Sequence, residues 1–350
     1  MIEIRRGNLL GADTEALVNT VNCVGVMGKG IALQFKQTFP TNYKEYAKAC
    51  KLDQVTPGKM FTVHVGGLLA NPKYIINFPT KRHWKEKSRI EDIESGLDAL
   101  IKEVKSLQIR SIAIPPLGCG NGGLNWNQVK PMIEEAFFSV PDVKVYLYEP
   151  AGTPTPEEIR IHTQKPRLTN SRALLISLMD RYGIPGYKLT LLEVQKLAYF
   201  LQEVGEPLKL NFVKGTYGPY AENLNFALQR MEGHYIRGVG DGSRRKDVQI
   251  HLLPGASAEA AEFLQGHKES LERLKKVSDI IAGFETPYGL ELLATVHWVM
   301  KQNKAIAQNS SEVVTGIYAW NERKQQIFKE GHIKTAWKHI INLDLMDIPM

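Results

Sequence analysis

Apolar and polar residues along the first 150 positions follow two periods, one typical of strands and the other of helices. Short apolar runs predict strands at 2–5, 16–22, 59–65, 74–78, 111–114 and 143–148. Apolar residues spaced three and four apart predict helices at 30–39, 42–50, 89–107 and 127–138. Thr41 and Ser88 are the expected N-caps of the second and third of these helices. Strands that alternate with helices predict a layered α/β domain with a mainly parallel sheet over residues 1–150.

The pattern changes after residue 150, where prolines interrupt a polar stretch and predict a linker over 151–168. Beyond it, over 169–350, the apolar spacing predicts a mainly α-helical second domain. Its expected helices are 170–182, 191–204, 221–231, 256–281, 288–301, 312–328 and 333–341. A hairpin is expected around 235–252, carrying the basic cluster Arg244, Arg245 and Lys246.

Composition narrows the class of protein. At 350 residues, 43% hydrophobic and with mean hydropathy −0.24, the chain has material for two substantial cores. No apolar run approaches the roughly 20 residues of a membrane span, and MIEIRRG lacks the apolar region of a signal peptide. Three cysteines without a CxxC pair fit a reducing cytoplasm. The histidine spacing predicts no protein-held metal, and we expect no cofactor. A net charge of +7 permits nucleic-acid binding without requiring it.

Two glycine-rich segments each follow a predicted strand and precede a helix. The first, NTVNCVGVMGKGIALQFKQTF, starts at residue 19 and contains Gly25, Gly28 and Gly30. Backbone amides at such a junction favour an anion, most often phosphate, but the spacing fails the Walker A pattern. The second, residues 118–123, matches GxGxxG, although it lies on a late strand behind Pro115-Pro116. Together they favour a diphosphate held between two loops; the alternative is that the glycines only permit tight turns.

The first segment, followed at a distance by PPLGCGNGGLNW and an amphipathic helix, resembles a macrodomain, the ADP-ribose-binding module. The resemblance covers residues 1–150 and implies a three-layer fold with a mixed, mainly parallel sheet. It implies the distal ribose on Asn22, and an altered adenine contact, because Asn8 stands where macrodomains usually carry aspartate. The residues it assigns to ADP-ribose are Asn8, Leu9, Asn22, Gly28, Lys29, Gly30, Ile31, Ala32, Thr80, Leu117, Gly118, Cys119, Gly120, Asn121, Gly122, Gly123 and Leu124.

The segment FPTKRHW, residues 78–84, distinguishes a binding module from an enzyme. A lone loop lysine is usually only solvated. Here the Thr-Lys pair is similar to that of macrodomains of the terminal ADP-ribose glycohydrolase type and of DarG-type antitoxins. That resemblance implies Lys81 as the catalytic residue at the distal ribose. Those glycohydrolases pair the lysine with an aspartate where this chain has Gly122, which puts a two-residue acid–base mechanism in doubt.

Residues 81–89 contain five basic side chains and one acidic one. Cations around an aromatic ring suit single-stranded DNA, whose bases stack and whose phosphates need neutralising. The candidate DNA contacts are Arg82, His83, Trp84 and Lys85; the alternative is a solvated turn. Cys119 has no histidine or acid beside it in sequence and is interpreted as a packing residue.

The second domain carries EVQKLAYFLQ and FVKGTYGPYAENL, which together are similar to Panacea-type antitoxin domains. The combined resemblance implies an antitoxin that removes ADP-ribose from thymidine in single-stranded DNA and binds a cognate DarT-type toxin through its second domain. The expected partners are ADP-ribosylated single-stranded DNA, that toxin and free ADP-ribose as product, with no membrane. The alternatives are a non-catalytic ADP-ribose reader and a hydrolase of protein-linked or small-molecule ADP-ribose derivatives.

Overall fold

A computed structural model describes residues 1–67, 70–150, 154–183, 189–242 and 249–345. The chain divides into two compact units, Met1–Gln164 with Gly240–Ser243, and Lys165–Val239 with Arg244–Met350. The division after Gln164 falls within the stretch predicted as a linker. Within the described ranges, no helix is long and apolar enough to cross a membrane.

The first unit is built on one six-stranded sheet. Its strands are β1 (Ile2–Arg5), β2 (Ala16–Asn22), β3 (Phe61–His64), β4 (Tyr74–Lys81), β5 (Ser111–Ile114) and β6 (Lys144–Tyr148). Their order is β1-β6-β5-β2-β4-β3, and all neighbours are parallel except β3 and β4. The predicted mainly parallel sheet is confirmed. Parallel strands end at a common edge, so the segments after β2, β4 and β5 meet there.

Helices cover both faces of this sheet. They are α1 (Gly30–Thr38), α2 (Pro40–Lys51), α3 (Ile90–Ser106) and α4 (Trp126–Phe138). Successive residues of β2 serve opposite faces, as strand geometry requires. Ala16 and Val18 join the core under α3 and α4, whereas Leu17 packs with Phe35 of α1. The expected three layers therefore form around a sheet that is buried on both sides.

Both predicted N-caps are wrong. The second helix begins at Pro40, with Phe39 in the cap position, because proline already has the backbone angle of a first helical residue. The third begins at Ile90 after Arg89, and the hydroxyl of Ser88 is buried without a hydrogen-bond partner. The sequence around Ser88 does not indicate that this residue lies against the second glycine-rich loop.

The second unit is mainly helical, as predicted. Its helices are α5 (Asn170–Tyr182), α6 (Leu191–Glu203), α7 (Leu224–Met231), α8 (Ala256–Leu264), α9 (Lys268–Ile281), α10 (Pro287–Gln302), α11 (Ser310–Tyr318), α12 (Glu322–Ile327) and α13 (Glu330–Asn342). The single helices predicted at 256–281 and 312–328 are each two. The region 256–281 forms α8 and α9, which are separated around Gly266, and the region 312–328 forms α11 and α12. The side chain of Asn321 caps α12 by accepting from the Lys324 amide at 2.9 Å.

Short strands complete the second unit: β7 (Leu189–Thr190), β8 (Phe212–Gly215), β9 (Gly218–Ala221), β10 (Ile236–Arg237) and β11 (Gln249–Leu252). The predicted hairpin is present, because β10 pairs antiparallel with β11. The basic cluster expected at its tip, Arg244, Arg245 and Lys246, lies outside the described residues.

Candidate active site

Asn22 and Lys81 lie opposite each other at the ends of the adjacent parallel strands β2 and β4. Beyond them, the Cys23 amide donates to the Arg82 carbonyl at 3.2 Å, and the Cys23 thiol lies 3.3 Å from the Lys81 carbonyl oxygen. These bonds join the start of the first glycine-rich loop to the segment that carries Lys81. Sequence positions nearly 60 apart therefore share one edge of the sheet.

The side chain of Asn22 organises the loop that follows it. Its Oδ1 accepts from the amides of Val24 and Val26 at 3.0 and 3.3 Å, and its Nδ2 donates to the Val26 carbonyl at 2.5 Å. The buried hydroxyl of Tyr46 donates to the Asn22 carbonyl at 2.6 Å. Asn22 thus fixes the loop, and its expected contact with a distal ribose stays a prediction.

The first loop ends at the N-terminus of α1, which has the geometry of an anion site. Gly30, at φ +60°, opens the helix, and no acidic side chain occupies the first turn. The Gly30 amide donates at 2.9 Å to the carbonyl of Asp241, in a short segment belonging to the first unit. A carbonyl oxygen occupies the position in which a phosphate oxygen of the expected ligand would accept.

The second glycine-rich loop is folded tightly on itself. The Leu124 amide donates to the Gly118 carbonyl, and the Ser88 amide donates to the Gly122 carbonyl at 3.0 Å. A Cβ on Gly122 would lie 2.1 Å from the Gly118 oxygen and 2.3 Å from the Ser88 hydroxyl. The loop as folded therefore has no room for the aspartate that other lysine-type glycohydrolases are expected to carry here.

Lys81 and the two loops meet at Asn121. The Nζ of Lys81 donates a short hydrogen bond to the Asn121 carbonyl oxygen. The side-chain amide of Asn121 lies 3.1 Å from the position of a Cβ on Gly30. The structure therefore brings together three elements that lie far apart in sequence: the first glycine-rich loop, Lys81 and the second glycine-rich loop.

Burial lowers the pKa of Lys81, which favours the neutral, nucleophilic amine. Desolvation is the cause, and the neighbouring guanidinium of Arg82 is itself paired with Asp92 at 2.9 Å. Among the described residues, no acidic side chain forms an ion pair with Lys81, and its polar contact is with a neutral carbonyl.

Of the other residues predicted to bind ADP-ribose, Asn8 is partly exposed, whereas Leu117 and Thr80 are buried. The Oδ1 of Asn8 accepts from the Leu10 amide, and its Nδ2 donates to the Glu158 carbonyl at 3.1 Å. Leu117 is completely buried in the core, and the buried Thr80 hydroxyl lies 3.5 Å from the Val21 carbonyl oxygen.

The two cysteines beside the site are not activated. Burial raises the pKa of the Cys119 thiol to about 11 and that of Cys23 to about 11. Their thiol hydrogen bonds go to backbone carbonyls. This agrees with the interpretation of Cys119 as a packing residue.

Trp84 forms an exposed aromatic platform close to Lys81. Its side chain is 51% exposed, and it is flanked by the His83 ring at 5.4 Å and by the Lys85 ammonium at 5.1 Å from the ring centre. An exposed ring beside a cation is the arrangement that stacks on a nucleobase and neutralises a phosphate. Of the four candidate DNA contacts, Arg82 is the one already held by a carboxylate.

Sequence reasoning missed two residues that shape the site. Tyr46 supports Asn22 from α2, and Ser88 supports Gly122 through its amide. Tyr46 gives no signal in sequence beyond being an apolar position of a helix. Ser88 gives a misleading one, because serine before a helix suggests a cap.

Comparisons with known proteins match the first unit to a family model and nearly the whole chain to two relatives. A family model described as Macro domain matches residues 18–133. The chain is 51% identical over 336 residues to a Thermus aquaticus protein named DNA ADP-ribosyl glycohydrolase, covering 96% of this chain and 92% of that protein. It is 41% identical over 356 residues to a Mycobacterium tuberculosis protein of the same name, covering 97% and 99%. A Thermosipho africanus protein named DNA ADP-ribosyl transferase-DNA ADP-ribosyl glycohydrolase fusion protein is 34% identical over 170 residues, covering 45% and 44%.

Proposed function

The chain belongs to the DNA ADP-ribosyl glycohydrolases, and we propose that its macrodomain removes ADP-ribose from thymidine in single-stranded DNA through Lys81. One observation carries the proposal: the Lys81 amine donates to the Asn121 carbonyl of the second loop, and the Lys81 backbone pairs with Asn22 on the adjacent strand. If Asn22 holds the distal ribose, as the resemblance to macrodomains implies, the amine approaches the carbon that bears the base.

Lys81 acts on C1″ of the distal ribose by one of two routes. In the covalent route its lone pair forms a bond to C1″ while the bond to the base breaks. The base leaves with the electron pair and takes up a proton, and water then hydrolyses the adduct to free ADP-ribose and the amine. In the other, the ammonium protonates the departing base and water attacks C1″ directly.

In this proposal the acid–base chemistry rests on Lys81 alone. Gly122 occupies the place of the expected second acid, and the loop as folded cannot accept a side chain there. The lowered pKa of Lys81 raises the share of the neutral amine, so the same group can serve as nucleophile when neutral and as proton donor when protonated.

DNA is bound beside the lysine by residues 82–85. Trp84 stacks on a base next to the modified one, and Lys85 neutralises a phosphate. Replacing Trp84 by alanine should weaken cleavage of a modified oligonucleotide about 10-fold, since one base–aromatic stack contributes roughly 1–3 kcal/mol. Binding of free ADP-ribose should not change.

The second unit binds a DarT-type toxin. Support comes from the fusion protein, whose name joins a DNA ADP-ribosyl transferase to a glycohydrolase. The Panacea-like motifs hold the second unit together from within. Gln195 exchanges two hydrogen bonds of 2.9 Å with the backbone of Ala221, and Lys196 donates to the Pro219 carbonyl at 2.7 Å. Both side chains are completely buried, so the toxin is contacted by other, exposed residues.

The test is incubation of the full-length protein with ADP-ribosylated single-stranded DNA and, in parallel, with an ADP-ribosylated protein. Release of ADP-ribose from the DNA and not from the protein supports the proposal. Binding without release would favour the reader, and release from the protein alone would favour the protein-directed hydrolase. Co-purification with the purified transferase toxin tests the second unit separately.

A further inference from the structure

Large apolar side chains are exposed beside Lys81. Val24 is 46% exposed and Val26 is 40% exposed, and both belong to the loop joined to Arg82 through the Cys23 amide. Trp84, three residues beyond Lys81 in sequence, is 51% exposed as well. An exposed valine forgoes the free energy that burial would provide, so the presence of two of them at this edge needs a physical reason.

The loop that carries the valines is rigidly held. The Asn22 side chain accepts from both valine amides and donates to the Val26 carbonyl. Between them Gly25, at φ +77°, packs against α2, where a Cβ would lie 3.5 Å from that of Cys50. A residue with a side chain would be strained at this φ, so the turn requires glycine here. The valines are displayed by a built turn and not by a mobile one.

We propose that Val24 and Val26 contact the modified nucleobase and set the preference of this enzyme for a base over a protein side chain as the group bonded to ADP-ribose. The inference rests on the proposed function. The base is bonded to C1″, so it lies within a bond length of the atom that Lys81 approaches. A pyrimidine has flat apolar faces, and thymine adds a methyl group, which aliphatic side chains can cover. A carboxylate or another polar protein side chain gains little from such a surface.

The experiment compares Val24→Ser and Val26→Ser with Phe138→Ser. Phe138 is 88% exposed at the end of α4, outside the site, and is the matched control for removing an exposed apolar side chain. Each full-length variant is assayed on an oligonucleotide with one ADP-ribosyl-thymine and on ADP-ribosyl-thymidine as a single nucleoside. Its Kd for free ADP-ribose is measured by calorimetry, which also reports that the pocket is folded.

The valine variants should lose roughly 10-fold in kcat/KM on both thymine substrates, the loss expected for one small apolar contact, with less than a twofold change in Kd for ADP-ribose. Val26→Ile should restore most of the activity. Unchanged kcat/KM would overturn the inference, and an equal loss of ADP-ribose affinity would place the valines on the sugar instead. If the wild-type protein cleaves neither substrate, the proposed function itself fails, and this inference falls with it.

Discussion

Gly122 is the position where a single methyl group should do most damage to the site. A Cβ there would lie 2.1 Å from the Gly118 oxygen, 2.3 Å from the Ser88 hydroxyl and 2.8 Å from the Gly118 carbonyl carbon. Two of these three neighbours are backbone atoms, which cannot rotate away as a flexible side chain can. Gly122→Ala must therefore displace the second loop itself.

The size of the effect follows from that geometry. Moving the new carbon out to an ordinary contact requires a shift of about 1 Å or more, and such overpacking costs about 1–3 kcal/mol of folding free energy. The displaced backbone includes the Asn121 carbonyl, which holds the Lys81 amine. Misplacing a catalytic group by about 1 Å costs on the order of 100-fold in rate, so we expect that loss in kcat.

Two assays test this expectation. Urea unfolding compares Gly122→Ala with Gly120→Ala, two residues away in the same loop, where a Cβ meets nothing within 4 Å. The rate at which Gly122→Ala cleaves an ADP-ribosylated oligonucleotide is compared with that of Gly11→Ala, where a Cβ also meets nothing within 4 Å and which lies outside the site. If Gly122→Ala matched these controls in stability and rate, the loop would be more pliable than described, and the steric account of the missing acid would be refuted.

Two further predictions concern buried polar groups. Tyr46→Phe leaves the Asn22 carbonyl without its 2.6 Å donor, so chemical denaturation should show a loss of about 1–2 kcal/mol, and cleavage should slow as the loop loosens. Lys196 should make the stability of the protein depend on pH, because burial lowers its pKa in the folded state to about 7 from 10.5. Between those two pH values the unfolded chain binds more protons than the folded chain, so the free energy of unfolding of the wild-type protein rises with pH. Unfolding free energies at pH 7, 8.5 and 10 should rise less in Lys196→Met; equal slopes would contradict this assignment.

The sheet and its two loops could be predicted because their signals are local. The buried strand predicted at 16–22 is β2 to the residue, and six of its seven residues are buried. The glycines after it mark the turn into α1, and the GxGxxG match marks the turn before α4. The comparisons confirm the macrodomain and the class of DNA ADP-ribosyl glycohydrolases that these motifs implied, and the structure confirms the helical second region.

Contacts between distant segments could not be predicted. Nothing near Lys81 in sequence indicates that its amine donates to the Asn121 carbonyl, or that Arg82 forms an ion pair with Asp92. The chain also places Lys196 at 0% exposure within an apolar helix, where its 2.7 Å bond to Pro219 satisfies the amine. Lysine side chains are usually exposed to solvent, and only the packing of β9 on α6 explains why this one is buried.

The central claim is that Lys81 breaks the bond between ADP-ribose and the base, while the two loops only hold the substrate. The most direct test is single-turnover cleavage of ADP-ribosylated single-stranded DNA by Lys81→Ala and Lys81→Arg, with the Kd for ADP-ribose measured on the same preparations. We expect both variants to be slower by at least about 100-fold, with Kd changed less than about threefold, because arginine keeps the charge but not the nucleophilic amine. Cleavage by Lys81→Ala at the wild-type rate would contradict the account.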